Sequence, residues 1–260
     1  MYSANDKIFN HHQIRDSMDV IKDMKKDLAA GKEISMVFIG DSITSAEWVH
    51  PNWREIIEYV LKEELTRLLG SEKWRIPSWG IRCYNCGYDG STTKDILDMM
   101  EENILAHKPT IAVYIANTND IHIHKDLAEY NKDIKAIMDK LSKRCSHMIL
   151  SNSIPGNNSG YNAEYGAYAN SIKAIKLNDK IKFIDMYQAY QEFDLGRFFT
   201  FKSQGNQVLG IPLGGIDFVH PNQLGNAYMA KIILEKGFGI SFDPEIFMAN
   251  TLKGEMYPRY

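Results

Sequence analysis

Five short apolar runs recur along the chain, at 35–39, 81–85, 111–116, 147–152 and 181–185. Between them lie longer stretches whose apolar residues follow a helical period rather than a strict alternation. Strand–helix alternation of this kind constrains the fold more than any other property of the sequence. Parallel strands cannot be joined by tight turns, so each pair needs a crossover, and the crossover helices cover the sheet. The expectation is an α/β fold with a five-stranded parallel sheet between helical layers. Ligands of such sheets bind beyond the carboxyl ends of the strands, so the residues just after each run are the ones to inspect.

The helical stretches have readable limits. In PNWREIIEYVLKEELTRLLG, Pro51 suits a first turn and Gly70 a stop. Ile56, Ile57, Val60, Leu61, Leu65 and Leu68 make one face of that helix. Further helices are expected from Thr93 to before Pro109, over Leu127–Lys143, over Ala163–Lys176 and over QLGNAYMAKIILEKG near the end. An additional N-terminal helix is expected near Ile14–Leu28. No repeat or Pro/Ser-rich linker divides the chain. It reads as one domain over 1–260, with a helical extension at 1–33 and a tail at 241–260.

Composition narrows the partners. The 260 residues are 44% hydrophobic and 24% charged with a net charge of -3, and no dense Lys/Arg tract gives nucleic acid a basic stripe. No run approaches the roughly 18 apolar residues of a membrane span. The N-terminal segment MYSANDKIFNHHQIRDSMD lacks the basic-then-apolar order of a signal peptide, so the expected compartment is the cytoplasm. Three cysteines, Cys83, Cys86 and Cys145, make no disulfide scaffold. Cys83 and Cys86 form a C-x-x-C pair, but a redox pair favours a helix N-terminus, and here it lies in a strand-like run. His122 and His124 lack a nearby third ligand, so no metal is expected.

The strand ends carry the chemistry. Gly40-Asp41-Ser42 follows the first run, NCGYDGSTT with Asn85 and Gly90 the second, and Asn117-Thr118-Asn119-Asp120 the third. Asp217 and His220 follow a long irregular stretch and precede the last helix. Each alone has a bland reading as a turn or cap. Together they supply a full set of acyl-transfer parts. A serine hydroxyl needs an imidazole to take its proton, and the imidazole needs an acid on its other nitrogen. Asp217 and His220, three apart, allow that pairing while Nε2 faces Ser42. The N–H groups of Ser42 and Gly90 and the Asn119 amide are candidate oxyanion donors. The α/β-hydrolase elbow, a P-loop and a dinucleotide fingerprint are all missing from the sequence.

On these residues the chain resembles the SGNH family, also called GDSL hydrolases, over roughly 35–237. Phe38-Ile39-Gly40-Asp41-Ser42-Ile43-Thr44 matches its first block, Asn85 with Gly90 the second, Asn119 with Asp120 the third, and Asp217 to Pro221 the last. Gly87 is a less favoured alternative to Gly90. Asn117 departs from the pattern, because the family usually has glycine there; asparagine tolerates the left-handed backbone such a turn uses. The resemblance implies a flavodoxin-like three-layer α/β/α sandwich. It also implies an esterase acting through an acyl-serine, with Ser42, Asp217 and His220 catalytic, Ser42, Gly90 and Asn119 at the oxyanion, and no cofactor.

The expected substrate is a short-chain, acetyl-type ester of a carbohydrate or small molecule, with an acyltransferase or a catalytically silent binding module as alternatives. Asp41, Trp48 and Asn117 are expected to face substrate. Trp48, Trp53, Trp74 and Trp79 suit either a sugar platform or packing. The stretch Tyr187–Ile216, with Phe193, Phe198, Phe199 and Phe201, reads as a wall or lid of the pocket or as a surface for self-association into a homo-oligomer.

Overall fold

The structure is a computed structural model and describes residues 10–45, 49–71, 76–205 and 210–260. Each apolar run is a strand. β1 spans Ile34–Gly40, β2 Ile81–Gly87, β3 Ile111–Ile115, β4 His147–Ser151 and β5 Ile181–Ile184. They form one sheet in the order β2-β1-β3-β4-β5, parallel throughout. The register sets Gly40 opposite Gly87, and Ile39 opposite Tyr114. The chain leaving β1 is therefore flanked by the loops that leave β2 and β3.

The helices are α1 (Asn10–Ala29), α2 (Trp53–Leu69), α3 (Thr93–Met99), the short α4 (Asn119–His122), α5 (Leu127–Ser142) and α6 (Ser159–Ile172). They continue with α7 (Met186–Tyr190), α8 (Gln223–Ile233) and α9 (Pro244–Leu252). Successive strand side chains point to opposite faces, and the core divides accordingly. Met36 and Phe38 pack in one cluster with residues of α1, α2 and α8. Val37 and Ile39 pack in the other with residues of α3 and α5. β3, with a helical layer on either side, is buried along its whole length.

Local chemistry explains where helix limits differ from expectation. Pro51 precedes α2 instead of opening it, because Asn52 is the cap: its side chain accepts from the Arg54 N–H while Glu55 accepts from the Asn52 N–H. α6 begins at Ser159 rather than Ala163, since the Asn158 side chain accepts from the Tyr161 N–H. The expected tail at 241–260 contains α9, with Asp243 capping it and Pro244 in its first turn. Phe242, Phe247 and Tyr260 fold this segment back onto Tyr59 of α2.

The described part of the stretch 187–216 is anchored in its first half. It starts within α7, and Phe198 and Phe199 are buried. Phe193 and Phe198 lie 4.5 and 4.8 Å, ring to ring, from Tyr228 of α8. Lys202 and Ile216 then form an antiparallel bridge that leads the chain back toward Asp217. Phe193, Phe198 and Phe199 pack with the core, while Leu213 and Ile216 stay exposed.

Phe38 joins the sheet to α2, with its ring 5.4 Å from Trp53 in an edge-on contact. Phe38→Ala should lower unfolding free energy by about 3–5 kcal/mol, read as a lower denaturant midpoint with an unchanged slope.

Candidate active site

The turn after β1 is built around a carboxylate. Asp41 Oδ1 accepts from the Ile43 N–H at 3.1 Å, and its carbonyl accepts from Thr44 and Ser45 at 2.9 and 3.0 Å. Its Oδ2 accepts both the N–H and the hydroxyl of Thr118, at 2.7 and 2.9 Å. With its oxygens so occupied, Asp41 is only 2% exposed and faces inward, where the sequence reading had it facing substrate. Burial pushes its carboxyl up, against the hydrogen bonds from Thr118 and Ile43 that hold it down. From outside the turn, the Asn52 amide donates to the Ile43 and Ser45 carbonyls at 3.3 and 3.2 Å, and the Trp53 indole donates to Ile43 at 3.1 Å. Trp53 is fully buried and braces this turn rather than offering a sugar platform.

Held in this way, the Ser42 hydroxyl lies 2.8 Å from His220 Nε2. Nδ1 of the same imidazole lies 2.7 Å from Asp217 Oδ2. Asp217 Oδ1 accepts from the Val219 and His220 N–H groups at 2.8 and 3.0 Å, so the acid grips its own loop. Asp217 and His220 are 3% and 4% exposed, which makes their pairing a buried one. Burial pushes the Asp217 carboxyl up, but the bonds and charge of His220 outweigh it and hold the group below its ordinary value. The loop is pinned on both sides: Asp217 N–H donates to Phe201, and the Phe218 carbonyl accepts from Asn157.

The sequence reading missed residues that join these parts. The Asn226 amide donates to the Pro221 carbonyl at 2.9 Å while its oxygen accepts from the Trp53 N–H at 3.1 Å. That single buried side chain locks the His220 loop to the helix that braces Ser42. Nothing local marks Asn226. Asn52 was legible, since an asparagine three residues before Glu55 at the head of an apolar helix is a capping signature.

Of the two candidate glycines at the end of β2 and beyond it, Gly87 is enclosed: a Cβ there would meet the Ser45 nitrogen at 2.5 Å. Gly90 is exposed, has a φ of +71°, and has open space where a Cβ would be. The Asn119 amide donates to the Ser91 carbonyl at 3.0 Å, which ties the turn after β3 to the loop carrying Gly90. Asn117 is not left-handed; among the described non-glycine residues only Lys108 and His124 have positive φ. Its side chain is buried, accepts from Tyr114 at 2.8 Å and donates to the Ser91 carbonyl and hydroxyl, each at 2.9 Å. Where glycine would leave a gap, asparagine supplies a strut, and it does not face substrate as expected.

Trp48 and Trp74 lie outside the described residues, and Trp79 is exposed. Among the described residues no group of three or more His, Cys, Asp or Glu side chains is arranged to hold a metal ion. No helix among them is long and apolar enough to cross a membrane.

Cys83 and Cys86 are three apart on β2 and pack into opposite core clusters, so their sulfurs are separated by the sheet. Burial pushes the thiols of Cys83, Cys86 and Cys145 up to about 12. At pH 8 the folded protein should react with a disulfide reagent roughly 10^3 times more slowly than the same protein in denaturant, because the thiolate fraction falls by about that factor.

The family described as the GDSL-like Lipase/Acylhydrolase family matches residues 38–228, a span that includes Ser42, Asp217 and His220. An acetylxylan esterase of Geobacillus stearothermophilus is 24% identical over 224 residues, covering 80% of this chain and 96% of the relative. A variant of Axe2, an acetyl-xylooligosaccharide esterase from Geobacillus, superposes with a TM-score of 0.60 at 20% identity, covering 82% of this chain and 98% of that one. The acetyl xylan esterase AlAXEase superposes with a TM-score of 0.58 at 20% identity, over 78% and 100% of the two chains. The likeness to the solved structures carries the fold, and the family match runs from the Ser42 turn to the helix behind His220: this chain belongs to the GDSL-like lipase/acylhydrolase family.

Proposed function

We propose that the protein is a serine esterase that removes acetyl groups from a carbohydrate or small-molecule ester, with Ser42 as nucleophile, His220 as general base and acid, and Asp217 as its orienting partner. The observation that carries this reading is the unbroken line from the Ser42 hydroxyl through both imidazole nitrogens to the Asp217 carboxylate. The acetyl group and the carbohydrate are suggested by relatives described as acetylxylan esterases.

The geometry supports the following course. The Ser42 Oγ attacks the ester carbonyl carbon as its proton passes to His220 Nε2. Asp217 stabilises the imidazolium that results, and its hydrogen bond keeps Nε2 turned toward serine. Negative charge on the former carbonyl oxygen is met by the N–H groups of Ser42 and Gly90 and the Asn119 amide. Collapse expels the alcohol, which takes the proton from His220. Water then attacks the acyl-serine as its proton passes to His220, and the intermediate breaks down to acetic acid and Ser42, whose Oγ takes that proton back from His220.

Release of nitrophenol from acetyl, butyryl and octanoyl esters tests the reading. Turnover should be highest on the acetyl ester and fall by roughly 10^6 in Ser42→Ala. New esters formed with added alcohols, at the expense of hydrolysis, would identify an acyltransferase instead. Loss of activity in neither Ser42→Ala nor His220→Ala would falsify the assignment.

Asn119→Ala should reduce kcat by about 10^2 to 10^3, the usual cost of one oxyanion donor.

Acid acts on catalysis and on stability through different groups. Protonated His220 cannot accept the serine proton, so kcat/KM falls as pH falls. Asp217 behaves differently: its folded carboxyl lies below the unfolded value, so its stabilisation is complete above the ordinary carboxylate range. That contribution is lost only as pH drops through the lowered folded value. Rates and circular dichroism recorded on the same samples, from about pH 8 down to about pH 2, should separate the two losses.

A further inference from the structure

Behind the turn that carries Asn119 lies a buried charged cluster that the chemistry above does not use. Asp120 is fully buried, and its two oxygens accept the N–H and the hydroxyl of Thr93 at 2.8 and 2.7 Å. Thr93 is the first residue of α3, three positions after Gly90. Lys125 enters from the other side. Its ammonium lies 3.2 Å from Asp120 Oδ1 and 2.5 Å from Asp133 Oδ2, and donates to the Thr93 hydroxyl at 2.9 Å. The Lys125 side chain is 10% exposed, so water screens these contacts poorly. Burial pulls the ammonium down, yet Asp133 and Asp120 outweigh it and hold the group above its ordinary value. The backbone is secured as well: Lys125 N–H donates to the Asp120 carbonyl at 3.0 Å, and the Lys125 carbonyl accepts from Tyr168 at 2.7 Å.

The cluster runs parallel to a second tie, from the Asn119 and Asn117 amides to the Ser91 carbonyl. Both connect the turn after β3 to the head of α3. The amide tie sits at the donors themselves and the charged cluster just behind them. Without the ammonium, the Asp120 and Asp133 carboxylates would both face the Thr93 hydroxyl, at 2.7 and 3.4 Å, with no charge between them. Their repulsion would push Asp120 away from α3, and Asn119 is its neighbour in the chain.

We propose that Lys125 is a positioning residue for the oxyanion pocket: by clamping Asp120, Asp133 and Thr93 together it holds the Asn119 turn at its working distance from the Gly90 loop. The proposal rests on the reading of Gly90 and Asn119 as oxyanion donors. Because those donors act only on the developing oxyanion, their misplacement lowers kcat and leaves substrate affinity nearly intact.

The test is a double-mutant cycle on nitrophenyl acetate, using the full chain with Lys125→Met, Asn119→Ala and both together. Lys125→Met should reduce kcat by about 10- to 30-fold with KM changed less than about twofold. In the Asn119→Ala background the same substitution should cost less than about threefold, since the donor it positions is gone. Asp133→Asn, at the more exposed edge of the cluster, should show the same dependence on Asn119 with a smaller loss; it decides the matter if Lys125→Met does not fold. Equal losses in the two backgrounds would mean a general structural role and overturn the proposal. Full kcat in folded Lys125→Met beside an impaired Asn119→Ala overturns the proposal alone, whereas full activity in Asn119→Ala removes the oxyanion reading beneath it.

Discussion

The site depends on a single topological constraint: β1 lies between β2 and β3, so the chain reverses its direction of travel across the sheet at that point. Loops leaving strands on either side of such a reversal diverge, and a crevice opens at the strand ends. The Gly40–Gly87 and Ile39–Tyr114 pairings bring all three strands to nearly the same level. The candidate nucleophile, the glycine loop and the asparagine turn consequently meet over distances that single side chains can span. The Asp217–His220 loop is the one part that does not come from a strand end. It reaches Ser42 across 178 residues of sequence, and Asn226 and Trp53 hold it there.

Two buried aspartates in this crevice have opposite characters. Asp217 meets a partner that becomes cationic during the proposed reaction, and its carboxyl is held low. Asp41 is hydrogen-bonded by neutral donors from Thr118 and Ile43 and feels the His220 charge only at a distance, and burial pushes its carboxyl up against them. A carboxylate that ionises readily supports an imidazolium, and one whose oxygens are taken up by neighbouring donors holds a turn together. Their environments suit them to different tasks: Asp41 shapes the turn, and Asp217 serves the histidine.

What was legible in the sequence was what is local. Strand and helix periodicity placed all five strands within two residues at each end, and the Asp-x-x-His pattern before the last helix singled out the pair that the structure sets against Ser42. Side-chain direction was not legible where it depends on distant partners. Asp41 and Asn117 looked like substrate contacts because they sit in the right blocks. Thr118, Ser91 and Tyr114, brought in by folding, turn them inward. Phe193 and Phe198 of the 187–216 stretch misled in the same way, since Tyr190 and Tyr228 draw them toward the core. The separation of Cys83 from Cys86 could have been read in advance, because positions three apart on a strand face opposite ways.

The asparagine at 117 shows why a departure from a family pattern need not change the chemistry. A glycine at that point would leave the Ser91 carbonyl with the Asn119 amide as its side-chain donor, and that amide has a second task in the proposed reaction. Asn117 adds another donor to the same carbonyl and takes its own acceptor bond from Tyr114. The loop carrying Gly90 is then fixed before any substrate arrives. Donors held in place in this manner need no reorganisation when charge develops, and preorganisation of that kind is the larger part of what an oxyanion pocket contributes.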